Sequence, residues 1–174
     1  MRLAGKSAIV TGGGSGIGGA IARRFAREGA AVVVADLDPQ RSRRLVEEII
    51  EQGGQAAYVK ADVTEVDDVR QMVQKAIQQF GKLDILVNNV GGGRGNGLEE
   101  LDEAMWDWNF NIVLKGTFLS CKAAMPRLLE SPGAAIVNIS SINGVMAIGL
   151  EAYSAAKAGV VSFTKNLAIR YGPR

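Results

Sequence analysis

The 174-residue sequence contains no histidine. That removes a Ser-His-Asp triad, a Cys-His nucleophile pair and any imidazole metal ligand, and no metal site is expected. Proton transfer near neutral pH must then come from a tuned Tyr, Lys, Asp, Glu or Cys. Cysteine occurs once, at Cys121. One thiol forbids an intrachain disulfide and a CxxC site, and a reducing, cytoplasmic compartment is expected. No run of 18 apolar residues is present, so no membrane span is expected. The opening residues 1–6 (MRLAGK) read straight into a strand and lack a signal-peptide apolar region. Charge of one sign is also lacking: 20 Lys and Arg against 18 Asp and Glu leave a scattered +2. That balance does not make a nucleic-acid surface.

Glycine is plentiful, 22 of 174 residues, nearly double the usual share of ~7%. Apolar strand-like runs alternate with helix-period segments throughout. Residues 7–11 (SAIVT), 31–36 (AVVVAD), 55–60 (QAAYVK), 83–88 (LDILVN) and 135–140 read as five strands. The second is apolar along its length, as strands covered on both faces are. Ile17, Ile21 and Phe25 recur every four residues and predict an amphipathic helix over 17–28. Asp38-Pro39 reads as N-cap and first helical residue of a helix to about Gln52. Thr64-x-x-Asp67 reads as a capping box opening a helix with Val66, Val69, Val73, Ile77 and Phe80 on one face. A long helix is predicted from about Leu101 to Leu129, and a last one from about Tyr153 to Tyr171. Five β-α units without a hairpin signal predict an α/β fold: a doubly wound parallel sheet, in one domain over residues 1–174. A doubly wound dinucleotide fold normally has six strands, so further C-terminal strands beyond Arg174 are expected. A natural five-stranded domain of flavodoxin-like order is the other possibility.

Residues 11–19 (TGGGSGIGG) join the first strand to the first helix. Glycines there let the chain turn tightly and approach a pyrophosphate, which the helix N-terminus attracts. The stretch fits both Gly12/Gly16/Gly18 and Gly14/Gly16/Gly19 spacings. No Lys-Ser/Thr follows, so it is not a triphosphate loop. Asp36 lies 20 residues after Gly16, at the end of the second strand. A carboxylate there accepts the ribose hydroxyls of an adenosine and repels a 2′-phosphate, which favours NAD over NADP. Asp62-Val63 and Asn88-Asn89-Val90-Gly91 end the third and fourth strands, where ligands of such sheets bind.

Tyr153 and Lys157 are spaced i, i+4, which puts them on one helix face about 5–6 Å apart. A nearby ammonium stabilises a phenolate and so supplies an acid/base group without histidine. Ser140 and Ser141 stand at the carboxyl end of the fifth strand, where a hydroxyl can hold a carbonyl oxygen.

Taken together, residues 11–18, Asp36, Asp62-Val63, residues 88–91 (NNVG), Ser140-Ser141 and residues 153–157 (YSAAK) resemble the short-chain dehydrogenase/reductase family. The resemblance runs in order over essentially the whole chain. It implies a Rossmann-like sheet in the order 3-2-1-4-5 and reversible hydride transfer between NAD(H) and a secondary alcohol or ketone. It implies Tyr153 as acid/base, Lys157 as its tuner and ribose ligand, and Ser141, better placed than Ser140, as the substrate-orienting serine. Gly12, Ser15, Gly16, Ile17, Gly18, Asp36, Asp62, Val63, Asn89, Gly91, Tyr153 and Lys157 are the expected cofactor contacts. It also implies a homodimer or homotetramer through the long helix and the last one; Trp106, Trp108, Phe110, Leu114, Phe118 and Met125 give that long helix more than one apolar face.

The sequence departs from the family at Val90, where alanine is usual, and at Val113, where an asparagine normally supports a water in the proton relay. Asn111 lies about 200° away on an α-helix and faces elsewhere. Val113 motivates a second reading, an NAD-binding protein with weak or no catalysis; a flavin-binding five-stranded domain is a third. The loops carrying Arg94 and Asn96, and residues 146–151, are the candidate substrate contacts, and no membrane or nucleic-acid partner is expected.

Overall fold

A computed structural model describes residues 1–174. Strands β1 (Ser7–Thr11), β2 (Ala31–Asp36), β3 (Gln55–Lys60), β4 (Ile85–Asn88) and β5 (Ala135–Asn138) form one sheet in the order β3-β2-β1-β4-β5. β1 pairs in parallel with β2 and β4, with Ile9 opposite Val33 on one side and Leu86 on the other. Every residue of β1 and β4 is buried, which explains runs of unbroken apolar residues rather than alternation. β4 starts at Ile85 rather than Leu83, although Leu83 and Asp84 are each 1% exposed. β5 ends at Asn138, so Ser140 and Ser141 follow the strand instead of closing it.

The helices are α1 (Gly16–Arg27), α2 (Pro39–Glu51), α3 (Val66–Phe80), α4 (Glu103–Phe110), α5 (Gly116–Leu129) and α6 (Glu151–Tyr171). Asp38 caps α2 as expected, accepting from the N–H groups of Gln40 and Arg41. Two expectations are corrected. The stripe α1 buries is Gly18, Gly19, Ala22 and Ala26; Ile21 and Phe25 are half-buried and Ile17 is 66% exposed. Small residues let the helix axis approach its neighbours closely, a contact that hydrophobic periodicity does not register. The capping box at Thr64 is also absent: Glu65 is the N-cap and makes no side-chain cap bond. Thr64 instead donates from both N–H and Oγ1 to Asp62 Oδ1, an Asx turn ahead of α3. The core of α3 is Val69, Met72, Val73 and Ala76, with Val66 exposed.

The expected single helix from Leu101 to Leu129 is three segments. α4 passes into a π-helical turn, Asn111–Lys115, and then α5, which contains Pro126. Such wide turns usually sit at functional sites.

By its internal packing the chain forms two compact units. The first is residues 1–89 with 119–137, the sheet and its flanking helices; the second is residues 90–118 with 138–174. In the first, a charged knot fixes the N-terminal side of the sheet. Asp84 accepts from the Ser7 N–H, Ser131 Oγ and Lys6, and pairs with Lys82. In the second, Val113, Ala156 and Val160 form a buried core against Phe110, Ile112, Leu114 and Tyr153.

Candidate functional site

In the first unit the glycine-rich turn runs from β1 into α1. Gly12 and Gly16 adopt φ of +60° and +53°, a region that costs L side chains about 1–2 kcal/mol. A Cβ on Gly18 would stand 2.1 Å from Gly12 O and 2.7 Å from Asn89 Nδ2. The Gly12/Gly16/Gly18 spacing is therefore the one the backbone requires. Ser15, Gly16 and Ile17 are exposed at the start of α1. Ser15 is the N-cap without a side-chain cap bond, and no acidic residue occupies the first turn. The first N–H groups of α1 thus lie open at its positive dipole end, fit for a pyrophosphate.

Asn89 pins this turn from β4. Its Nδ2 donates to Thr11 O (3.1 Å) and Gly12 O (3.3 Å), and its N–H donates to Thr11 Oγ1 (3.0 Å). Asp36 accepts from the Gly14 N–H at 2.9 Å and the Asp38 N–H at 3.0 Å. Two backbone donors hold its carboxylate in place, and a carboxylate has lone pairs left for two hydroxyls. Gly14 has a role of its own: a Cβ there would meet Asp36 Oδ2 at 3.1 Å. Asp62 spends Oδ1 on Thr64, while Val63 is buried at 5% exposure. Both residues follow β3, and the hydrogen bonds that the Asp62 carboxylate accepts are those of a turn.

In the second unit, α6 carries Tyr153 and Lys157. The Lys157 ammonium lies 5.7 Å from the Tyr153 ring centroid. Lys157 is 3% exposed, and its Nζ donates to Ile139 O at 2.7 Å. Burial pushes its pKa below the usual lysine value. Gly91 gives it room, since a Cβ there would lie 3.1 Å from Lys157 Nζ. Gly93 packs on the tyrosine: a Cβ there would lie 3.4 Å from Tyr153 Cβ and Cγ.

Ser141 caps a short 3₁₀ turn, Ile142–Gly144. Its Oγ accepts from the Asn143 N–H and donates to Asn143 Oδ1, both at 3.2 Å. Asn143 in turn donates from Nδ2 to Gly149 O and Ser154 Oγ. Ser140 is turned to structure: its Oγ donates to Lys157 O at 3.2 Å. Leu150, the N-cap of α6, is the one non-glycine residue with positive φ (58°). Strain of this kind concentrates where a side chain must be aimed, here three residues before Tyr153.

Sequence reasoning missed Asn143 and Asn109. Neither carries a spacing signal, because each bonds groups fixed only by tertiary folding. Val113 is fully buried and Asn111 exposed, so Asn111 does not take the Val113 position even across the π turn.

The family model for the short chain dehydrogenases matches residues 6–174. The chain belongs to this family and is an oxidoreductase of that type, for which a nicotinamide cofactor is implied. It is 42% identical over 172 residues, 99% of its own length and 69% of the relative's, to a hydroxy(phenyl)methyl-succinyl-CoA dehydrogenase subunit of Thauera aromatica. It is 40% identical over 176 residues, covering 99% of itself and 70% of the relative, to a dichloro-cyclohexadiene-diol dehydrogenase of Sphingobium indicum. The crystal structure of gox2181 superposes with a TM-score of 0.94 at 34% identity, covering 99% of this chain and 68% of that one. The short-chain dehydrogenase chain described here therefore spans about two thirds of the length of these relatives. No helix in it is long and apolar enough to cross a membrane.

Proposed function

We propose that this short-chain dehydrogenase oxidises a secondary alcohol, or reduces the matching ketone, with NAD(H). The observation that carries the reading is the Tyr153–Lys157 pair: a phenol 5.7 Å from a buried ammonium on one helix face. In oxidation the substrate C–H bond breaks as hydride leaves and the O–H bond breaks as a proton leaves. The nicotinamide, when bound, accepts the hydride. Tyr153 serves as the base that takes the proton, with the Lys157 ammonium 5.7 Å from its ring centroid. Ser141 Oγ, oriented by Asn143, holds the reacting oxygen. Gly12, Ser15, Gly16, Ile17 and Gly18 present the pyrophosphate donors, with Asn89 holding their turn, and Gly91 is a further proposed cofactor contact. Asp36 favours NAD, because its fixed negative charge opposes a 2′-phosphate. Asp62 and Val63 flank the adenine in this reading.

Tyr153→Phe tests it: turnover of a confirmed alcohol falls by at least about a hundredfold, while NAD binding by calorimetry is retained. Wild-type turnover in that variant overturns the reading.

The second reading, cofactor binding with weak catalysis, is favoured by the fully buried Val113. The relatives named above carry dehydrogenase names and support the active reading. We also propose self-association, supported by Trp106 and Phe118, each 41% exposed, and Ile169 at 80%. Light scattering at low concentration tests it, and a stable monomer counts against it.

A further inference from the structure

We infer that Arg94 is a specificity residue that receives an anionic group, a carboxylate, on the substrate. The inference rests on the Tyr153 reading and names the substrate class of that same site. Arg94 lies on the glycine-rich loop after β4, next to Gly93, whose backbone packs on Tyr153. Its backbone is clamped at both ends by one side chain. The Arg94 N–H donates to Asn109 Oδ1 at 3.2 Å, and Asn109 Nδ2 donates to Arg94 O at 2.9 Å. Asn109 is fully buried and is itself anchored by Met105 O at 2.7 Å. A buried amide spent in this way on a surface loop fixes what the loop displays.

What the loop displays is an arginine. Its guanidinium lies 4.0 Å over the Trp108 ring. Gly92 packs on the same indole, where a Cβ would meet Trp108 Cη2 at 3.0 Å. Stacking fixes the guanidinium plane and leaves its N–H edge free. No carboxylate of the protein pairs with it, although Glu99, Glu100 and Asp102 follow in the chain. On the first unit Arg2, Arg23, Arg24, Arg41, Arg70 and Arg127 each pair with an acid, and Arg43 bonds the Tyr58 hydroxyl. Arg94 has only the indole.

The same loop abuts the approach to Tyr153. Gly97 N–H donates to Glu151 Oε2 at 3.0 Å, and a Cβ on Gly149 would lie 3.6 Å from Asn96 Oδ1. The segment on that side exposes Val145 (68%), Met146 (56%) and Ile148 (54%). A cation over an indole and the exposed apolar side chains of Val145, Met146 and Ile148 suit a hydroxy or keto acid with an apolar body. Bidentate guanidinium–carboxylate geometry supplies the orientation.

The test titrates the full chain with two non-reacting probes, 3-phenylpropanoate and 3-phenylpropanamide. The acid is expected to bind about tenfold more tightly than the amide. Arg94→Gln abolishes the preference, and Arg94→Lys keeps part of it. Equal affinities in the wild type, a preference that survives Arg94→Gln, or no saturable binding of either probe overturns the inference. In turnover, Arg94→Gln raises KM for 3-hydroxy-3-phenylpropanoate and leaves kcat and the methyl ester's KM unchanged; a change shared by acid and ester counts against a role at the carboxylate. Tyr153→Phe keeps the probe preference, so loss of the proposed reaction and loss of the anion site are read separately.

Discussion

Lys157 Nζ donates to the backbone carbonyl of Ile139 at 2.7 Å, the hydrogen bond that ties the last helix to the chain just past β5. Lys157 is 3% exposed and forms no ion pair with an acid. Burial disfavours the charged form, which places its pKa below the ordinary lysine value of 10.5. The unfolded chain then holds the proton more tightly than the native one between the lowered pKa and 10.5. Stability therefore rises with pH across that window. Lys157→Met removes the titration. The melting temperature of Lys157→Met minus that of the wild type is expected to shrink as pH goes from 8 to 10, and the variant is inactive at every pH. A difference that does not change with pH contradicts the burial argument.

Asp36 sets cofactor choice if its charge is what a 2′-phosphate meets. The carboxylate is held by the Gly14 and Asp38 N–H groups and does not swing away. Asp36→Ser removes the charge and keeps a hydrogen-bonding group. The ratio of kcat/KM for NAD over NADP is expected to fall by at least about tenfold, which corresponds to ~1.4 kcal/mol of repulsion. Steady-state kinetics with both cofactors measure it. An unchanged ratio means that another group discriminates.

The sheet was legible because β1, β2 and β4 are short buried runs, and β2 and β3 begin and end where the residues suggest. The α1 surface was not, because Gly18, Gly19, Ala22 and Ala26 carry almost no hydrophobic signal yet make the contact. Thr64 and Asp67 fit a capping pattern, but Asp62 Oδ1 offered Thr64 a better partner two residues back. The π turn at Asn111–Lys115 left no mark, since it differs from an α-helix by one extra residue in a hydrogen-bonded ring. The placement of Tyr153 and Lys157 on one face of α6, and of Asp36 at the end of β2, follows from their spacing. Asn109 and Asn143 were not legible, because their bonds go to groups that only the folded chain brings near.

Gly18 is where the dinucleotide turn has no slack. A methyl there meets the Gly12 carbonyl and the Asn89 amide, and the first is backbone that cannot rotate aside. Gly18→Ala is expected to cost about 1–3 kcal/mol of stability and to abolish measurable NAD binding by calorimetry. Ser15→Ala is the control, since Ser15 is exposed and makes no cap bond; its stability stays within about 0.5 kcal/mol of wild type. A Gly18→Ala protein that binds NAD normally refutes the close-approach argument.

Asp84 anchors the first unit against acid. Burial by itself pushes its carboxyl up, but hydrogen bonds from Ser131 Oγ, the Ser7 N–H, Lys82 and Lys6 outweigh that and hold it at about 2. A depressed carboxylate stabilises the fold fully above its unfolded value near 3.8, and the contribution is lost as pH falls through about 2. The shift corresponds to about 2 kcal/mol. Asp84→Asn is expected to lose about that much at pH 7 in urea unfolding, with the two curves converging as pH drops toward 2. A constant gap between variant and wild type over that range sinks the assignment.

Val113 decides between an active and an impaired relay. It is fully buried against Ala156 and Val160, and its carbonyl accepts from Thr117 Oγ1 at 2.7 Å. An asparagine there places an amide in an apolar pocket, with a penalty of about 1–3 kcal/mol if it stays unpaired. Val113→Asn is expected to melt at lower temperature and to show no gain in kcat, since Lys157 Nζ already has Ile139 O as its partner. Thermal melts and turnover of one confirmed alcohol, measured on the same preparations, check both halves. A rise in kcat with the asparagine means that the valine interrupts proton transfer, and the weak-catalysis reading then replaces the active one.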